Sequence, residues 1–434
     1  MRSRLARITG VATLLLVPLA AGAAEAPTTT RHVLPGGLRL LVREDPGADV
    51  VTVSLQVKSG LRDETPATSG ISNFVQRVMI RGTTRRSARQ IVEAAEDIGG
   101  SVDASGDVDY AEIRASALAR HREALLDLVA DVVLAPTFPA EEVERERRLI
   151  ASQIQTRLET PFSLALDTLF VQLYATHPYA LPTLGQKASV QRLGRDDLVA
   201  HYRRVYRAGA MVVAVSGRVD RESVRRQVER LFANLSGGDA GAVERPPAPA
   251  PSSERRVLDR PVQQAQILMG FLGPGIGEAD YAPGKVMSAV LGGGMSGRLF
   301  VTLRDHRGLP YSLGMLNPSR VGPGVFVGYM GTARDTVEAA EAGMRNEFER
   351  FKAEGPNEAE LTRAKAYILG NLAMDRRTNA RHAWYLAFFE LAGAGWDHPE
   401  RYARAVEAVT AADVARVAQR YLERPTIVVV RPRP

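Results

Sequence analysis

The residues best placed to do chemistry at a fixed spacing are Asn73, Gln76 and Arg77. They stand at i, i+3 and i+4 in the stretch Gly70-Ile71-Ser72-Asn73-Phe74-Val75-Gln76-Arg77-Val78-Met79-Ile80-Arg81-Gly82-Thr83, so they project from one side of one helix. Ile71, Phe74, Val75, Val78 and Met79 make the apolar stripe at helical spacing. This pattern predicts a helix over 70–81. Ser72 or Asn73 would cap it, Gln76 would reach back as in a capping box, and Gly82 would close it. As chemistry the trio is poor in what a metal hydrolase needs. An Asn amide is a weak zinc ligand, and a guanidinium is a permanent cation that repels the metal. A Gln amide does not titrate usefully and cannot take a proton from metal-bound water.

The frame Gly-Ile-Ser-x-Phe-Val-x-x-Val-Met-Ile-Arg-Gly-Thr resembles the zinc-site segment of the M16 (pitrilysin and mitochondrial-processing-peptidase-like) metallopeptidases. There the three places belong to an inverted zinc motif, His-x-x-Glu-His, and hold a ligand, a general base and a second ligand. Here the frame is intact and all three positions are changed. The resemblance places the family's third ligand, a Glu on the helix after Pro139, at Gln153, and a supporting Glu two turns earlier at Glu146. The positions that would hold and use zinc therefore read Asn73, Gln76, Arg77 and Gln153. The match extends to His177-Pro178-Tyr179 with Pro182-Thr183-Leu184-Gly185, to residues 213–220, and to residues 291–311. In the last of these, Leu303-Arg304-Asp305-His306-Arg307-Gly308-Leu309-Pro310-Tyr311 resembles the segment whose Arg and Tyr contact substrate beside the zinc. The resemblance thus implies a substrate-binding role for Arg304 and Tyr311. Arg supplies planar charge-assisted donors for a peptide carbonyl, and a Tyr hydroxyl can stabilise an oxyanion. On composition alone the two would read as a surface Arg and a half-buried strand Tyr.

The elements that must position these residues follow from periodicity. Residues 31–44 read as a hairpin around Pro35-Gly36-Gly37, and 50–57 as a half-buried strand. Helices follow at 70–81 and 87–98, then two antiparallel strands within 101–117 that turn near Gly106-Asp107. Further helices fall at 121–134, 140–159, 163–174, 195–205 and 221–231, with a strand at 211–217. Residues 236–256, rich in Gly, Ala and Pro, form an interdomain linker that cannot build a core. The second half repeats the plan. It has strands at 265–271, 311–315 and 324–331, and helices near 281–291, 296–307, 337–354 and 358–376. Pro139, Glu142-Val143 and Ile150 line up with Pro356-Asn357, Glu360-Leu361 and Ile368. So long a period argues for duplication of one α+β domain rather than a solenoid. The expected architecture is two homologous α+β domains, 27–235 and 257–434, with antiparallel-rich sheets and helices packed on one face. The resemblance implies the same duplicated fold.

Composition sets the remaining bounds. The 434 residues are 45% hydrophobic and 24% charged, with a net charge of +7. The pI near 9.7 invites a nucleic-acid reading, but 51 of the 56 basic residues are Arg, spread along the chain among acids. No basic cluster or motif supports nucleic acid as a partner. The Gly292-Gly293-Gly294 run lacks the Lys-Ser/Thr ending and preceding strand of a phosphate loop. Trp384, Tyr385, Phe388 and Phe389 share a helix face and read as core or subunit interface. The seven His show no i, i+4 pairing, and there is no Cys for a disulfide, a thiolate site or a lipid anchor. Arg2, Arg4 and Arg7 ahead of an apolar run ending in small residues make 1–26 a secretory signal peptide. The mature chain would be periplasmic, without a membrane span. Together with the resemblance this implies a non-catalytic subunit with no metal of its own. It would pair with a zinc-bearing M16 paralogue and present Arg304 and Tyr311 to an unfolded peptide substrate. The competing expectation is an inactive scaffold or peptide-binding protein with no role in proteolysis.

Overall fold

The computed structural model describes residues 27–239, 249–250, 253–305 and 310–433. The expected signal peptide, much of the linker and the loop at 306–309 lie outside the described residues, as does the side chain of Tyr311. The first half contains β1 (Thr28–Val33), β2 (Arg39–Glu44), β3 (Val50–Val57), β4 (Ser101–Gly106), β5 (Ala111–Leu118) and β6 (Met211–Gly217). The second contains β7 (Arg255–Arg260), β8 (Ala265–Gly273), β9 (Pro310–Leu316), β10 (Gly324–Thr332) and β11 (Thr426–Pro432). The sheet orders are β1-β2-β6-β3-β5-β4 and β7-β11-β8-β10-β9. With β1 set aside, they match strand for strand. The parallel pair falls at the same place in both, β2 with β6 and β7 with β11, and every other pairing is antiparallel. The duplicated α+β plan expected from the period is the one observed.

The helices of the first half are α1 (Ile71–Met79), α2 (Ala88–Glu96), α3 (Arg122–Leu134), α4 (Ala140–Glu159), α5 (Pro161–Tyr174), α6 (Lys187–Arg192), α7 (Arg195–Val205) and α8 (Arg221–Leu231). Those of the second are α9 (Tyr281–Gly292), α10 (Val337–Glu354), α11 (Glu358–Asp375), α12 (Asn379–Leu391), α13 (His398–Ala408) and α14 (Ala411–Tyr421). Each half packs its own helices on one face of its own sheet. Along β3, Val51, Val53, Leu55 and Val57 join Phe74, Val75 and Val78 of α1 in one core, as period-2 alternation requires.

The opposite faces are also covered, and the cover comes from the other half. Helix α12 lies on the first sheet, its Ala383, Leu386, Ala387 and Leu391 against Leu41, Val212 and Ala214. Helix α5 lies on the second sheet, its Ala165, Leu169 and Leu173 against Leu268, Val325, Val327, Val428 and Val430. The polar residues on the α12 side of β3 and β6 are buried and bonded. Ser54 Oγ donates to Glu112 Oε1 at 2.6 Å, Gln56 Nε2 to the Trp384 carbonyl at 3.5 Å, and Ser216 Oγ to Asn379 Oδ1 at 2.8 Å. Of the Trp384–Phe389 face, Phe388 and Phe389 are buried, while Trp384 and Tyr385 are half-buried beside Tyr110 of the first half.

One helix differs from expectation. Residues 296–307 do not form one α-helix. A 3₁₀ turn at Gly294–Ser296 is followed by a π-helical run at Phe300–Asp305. Gly297 between them is extended, with φ −69° and ψ 148°, which breaks any helix there, and the chain folds back so closely on α9 that a Cβ at Gly297 would sit 3.0 Å from Gly292 Cα. Arg298 then ties the segment to α11, with Nε donating to Glu360 at 2.6 Å and Nη2 to the Gly355 carbonyl at 2.7 Å. The last residues of the expected linker, 255–256, already belong to β7.

Candidate functional site

Helix α1 follows β3 and lies against the edge strand β4 and helix α4. Its start differs from the capping box expected of Ser72, Asn73 and Gln76. Gly70, with φ +92°, is the N-cap, and no side chain within the helix caps it. The orphan N–H groups are taken by Glu64. Its Oε2 accepts from Gly70 N at 2.7 Å and its Oε1 from Ser72 N at 3.0 Å, while Ser72 Oγ is spent on the Gly60 carbonyl at 3.2 Å. A carboxylate suits the positive end of a helix. Burial nevertheless pushes the Glu64 carboxyl up, to about 7, against the pull of the two N–H bonds. The close packing explains why Gly stands there. A Cβ on Gly70 would lie 2.7 Å from Gly185 Cα, and Gly185 has φ +87°. The loop at 182–185 is therefore a seat for the start of α1.

On the polar face the structure brings Arg77, Gln153 and Glu146 together. Arg77 Nε donates to Glu146 Oε2 at 2.8 Å, and its Nη1 donates to Gln153 Oε1 at 2.6 Å. The other Glu146 oxygen accepts from Arg81 Nε at 2.9 Å. Glu146 is 0% exposed, so this carboxylate is buried between two guanidiniums. Asn73 lies one turn before Arg77, and its Nδ2 is buried without a hydrogen-bond partner among the described residues. Gln76, 2% exposed, turns instead toward β4. Its amide fills the space beside Gly106, where a Cβ would come within 2.3 Å of Gln76 Oε1, and that oxygen also lacks a described partner.

This donor set does not fit zinc. A divalent ion between α1 and α4 would have to displace the Arg77 guanidinium. It would then find two neutral amides and a carboxylate already held by Arg81. Among the described residues no three His, Cys, Asp or Glu side chains cluster so as to hold a metal. The guanidinium supplies a fixed positive charge where the inverted zinc motif would supply a metal.

Arg304 is exposed near the end of the π-helical run, its guanidinium carbon 5.0 Å from the centre of the Phe300 ring. Tyr311 lies on β9, the edge strand of the second sheet. Thr332 pairs with Pro310 and Gly331 with Ser312, which leaves Tyr311 as the extra residue of a bulge. Sequence reasoning missed Glu64, which caps α1 from the preceding loop, and Arg81, whose partner Glu146 is remote in the chain. It also missed the junction around Asp109, which is 7% exposed. Asp109 accepts from the Tyr179 hydroxyl and, at 2.9 Å, from Val321 N across the halves. His177 sits beside this junction, where its Nδ1 accepts from Tyr179 N at 3.1 Å.

Comparison with known proteins agrees with this architecture. Residues 39–187 match the family model described as Insulinase (Peptidase family M16), and residues 192–368 match that of the Peptidase M16 inactive domain. An uncharacterized zinc protease of Rickettsia bellii is 28% identical over 389 residues, covering 89% of this chain and 93% of that protein. The uncharacterized zinc protease YmxG of Bacillus subtilis is 28% identical over 353 residues, 81% of this chain and 85% of that protein. Among solved structures, a peptidase M16 inactive domain from Pseudomonas fluorescens superposes with a TM-score of 0.88 at 23% identity, covering 94% of this chain and 98% of its own. A protease from Helicobacter pylori gives 0.87 at 21% identity, covering 94% and 100%. Two adjoining family models, relatives aligned over most of the length, and the repeated sheet order together place this chain in the M16 peptidase family.

Proposed function

We propose that this chain is the non-catalytic subunit of a heteromeric M16B-type zinc peptidase. Its partner is a zinc-bearing paralogue carrying His-x-x-Glu-His, and the substrate is an unfolded peptide. The pair works in the periplasm, to which residues 1–26 direct the chain as a signal peptide. One observation carries the reading: the Arg77 guanidinium is bound by Glu146 and Gln153 where the family frame would place metal ligands. The zinc chemistry then belongs to the partner, and this chain binds and orients. The edge strand β4, beside α1, leaves main-chain groups open to an added strand, which is how an extended peptide is gripped without sequence preference. Arg304 and Tyr311 supply hydrogen bonds to the scissile carbonyl from the second half.

The test is to mix the purified chain with its paralogue and follow cleavage of an unstructured peptide. Turnover is expected in the mixture and in neither chain alone. Arg304→Ala with Tyr311→Phe should lower kcat/KM of the mixture while complex formation, read by size-exclusion chromatography, is unchanged. Full turnover by the paralogue alone, or by the doubly substituted mixture, refutes the assigned role.

A further inference from the structure

We propose that the cavity of about 620 Å³ between α9, α11, α12, α13 and the β4–β5 turn is a binding site for a small aromatic monocarboxylate, with Lys285 and Arg320 holding the carboxylate and the aromatic walls holding the ring. The volume is that of an ordinary small-molecule site. The walls are aromatic. Trp384 and Phe388 of α12 stack with centroids 4.7 Å apart and planes 13° apart, and Tyr110 meets both edge-on at 6.0 and 5.4 Å. Tyr281 and Tyr402 face each other at 5.6 Å on another side. Flat rings in these arrangements favour a flat guest.

Three carboxylates, Asp107, Asp109 and Asp375, and three cations, Lys285, Arg320 and Arg381, line the cavity, and they differ in how they are paired. The carboxylates of the cavity are engaged. Asp375 accepts from Arg381 Nε at 3.0 Å and from the Tyr385 hydroxyl at 2.9 Å. Asp109 is held by Tyr179 and Val321, and Asp107 accepts from Arg320 Nη1 at 3.4 Å. Two cationic groups keep donors in reserve. Lys285 Nζ donates to the Asn317 carbonyl and lies 5.1 Å from the centre of the Tyr281 ring, and among the described residues no carboxylate pairs with it. Arg320 is 9% exposed and lines the same cavity, where its guanidinium is held only by the long Nη1 contact with Asp107 among the described residues. Two neighbouring cations repel, and an anion that accepts charge-assisted hydrogen bonds from both offsets that repulsion. Independently of that geometry, burial pulls the Lys285 amine down to about 7, with the nearby Arg320 charge pulling the same way, as befits an amine whose counter-ion is not part of the chain. The chemistry fits a free aromatic acid and equally the C-terminal residue of a peptide.

Isothermal titration calorimetry on the full chain separates the outcomes. The probes are 3-phenylpropionate and its amide, and the peptide Gly-Gly-Phe and its C-terminal amide. The acids are expected to bind, each amide to bind weaker by on the order of tenfold or more, the loss of one charge-assisted contact. Lys285→Met should weaken the acids to the level of the amides. Preference for 3-phenylpropionate identifies a free acid as the guest, and preference for Gly-Gly-Phe a peptide terminus. Equal binding of acid and amide overturns the proposal without any variant, as does failure of both acids to bind, or acid affinity unchanged in Lys285→Met. None of these readouts depends on a partner subunit or on peptide cleavage.

Discussion

Removing the Arg77 side chain is the sharpest test of the ion pair between α1 and α4. Glu146 is 0% exposed and shared between Arg77 and Arg81. Taking one partner from a buried ion pair costs about 3–5 kcal/mol when the remaining charge is left uncompensated. Here Arg81 stays on the second oxygen, and Arg77 itself is 21% exposed, so solvent screens part of the loss. The expected cost of Arg77→Leu is therefore about 1–3 kcal/mol. Unfolding entropy of about 2 cal/mol/K per residue converts this, for a chain of this size, to a fall in Tm of on the order of 1–3 °C. The assay is a double-mutant cycle of Arg77→Leu, Glu146→Gln and the pair, read by thermal and urea unfolding under matched conditions. If the guanidinium neutralises Glu146, either single variant destabilises and the second substitution adds little. Additive costs, with a coupling below about 0.5 kcal/mol, would refute the claim that Arg77 does the electrostatic work of a bound ion.

Three further outcomes follow from the same geometry. Asn73→His, Gln76→Glu, Arg77→His and Gln153→Glu made together should yield a chain that retains stoichiometric zinc by metal analysis while the wild type retains none; zinc in the wild type would sink the degenerate-site reading. Gly185→Ala should destabilise the start of α1 by on the order of 1–3 kcal/mol, since its φ is +87° and a Cβ would meet Ser69 O at 2.5 Å; unchanged hydrogen exchange in α1 would contradict this. His201, 5% exposed, accepts from Arg204 Nη2 on Nδ1 and faces Ser59 Oγ with Nε2. Burial, aided by Arg204, holds its pKa down to about 3 against 6.5 when unfolded. Its contribution is therefore complete above 6.5 and is lost as pH falls toward 3, because the unfolded chain takes up a proton that the folded chain refuses. His201→Gln should flatten the acid limb of the stability curve by up to about 1.4 kcal/mol per pH unit, and an unchanged limb would count against it.

Local patterns were readable where local physics decides. Helix α4 and the strand β6 fall at their expected limits, because uninterrupted periodicity and flanking Pro or Gly set them. The clustering of Arg77 with Gln153 follows from a motif frame. What stayed hidden depends on contacts that no local pattern encodes, most of them distant in sequence. The cap of α1 is a Glu from the loop before it rather than Ser72 or Asn73, and no spacing rule points to it. The break at Gly297 comes from a backbone that doubles back on α9. The strand β7 exists because β11, far along the chain, pairs with it in parallel. Residues 163–174 read as a helix and Trp384, Tyr385, Phe388 and Phe389 as one helix face, but nothing in them says whose sheet their helices cover. The interdomain cavity is assembled from four helices and a turn, and Lys285 and Arg320 are unremarkable in sequence.

Each half of the chain is roofed by a helix that the other half donates, α12 over one sheet and α5 over the other. Pulling the halves apart would strip both roofs at once and open two apolar faces to water. Clamshell motion at the linker is thus the costliest movement open to this molecule, and cutting the linker should leave two fragments that stay clasped.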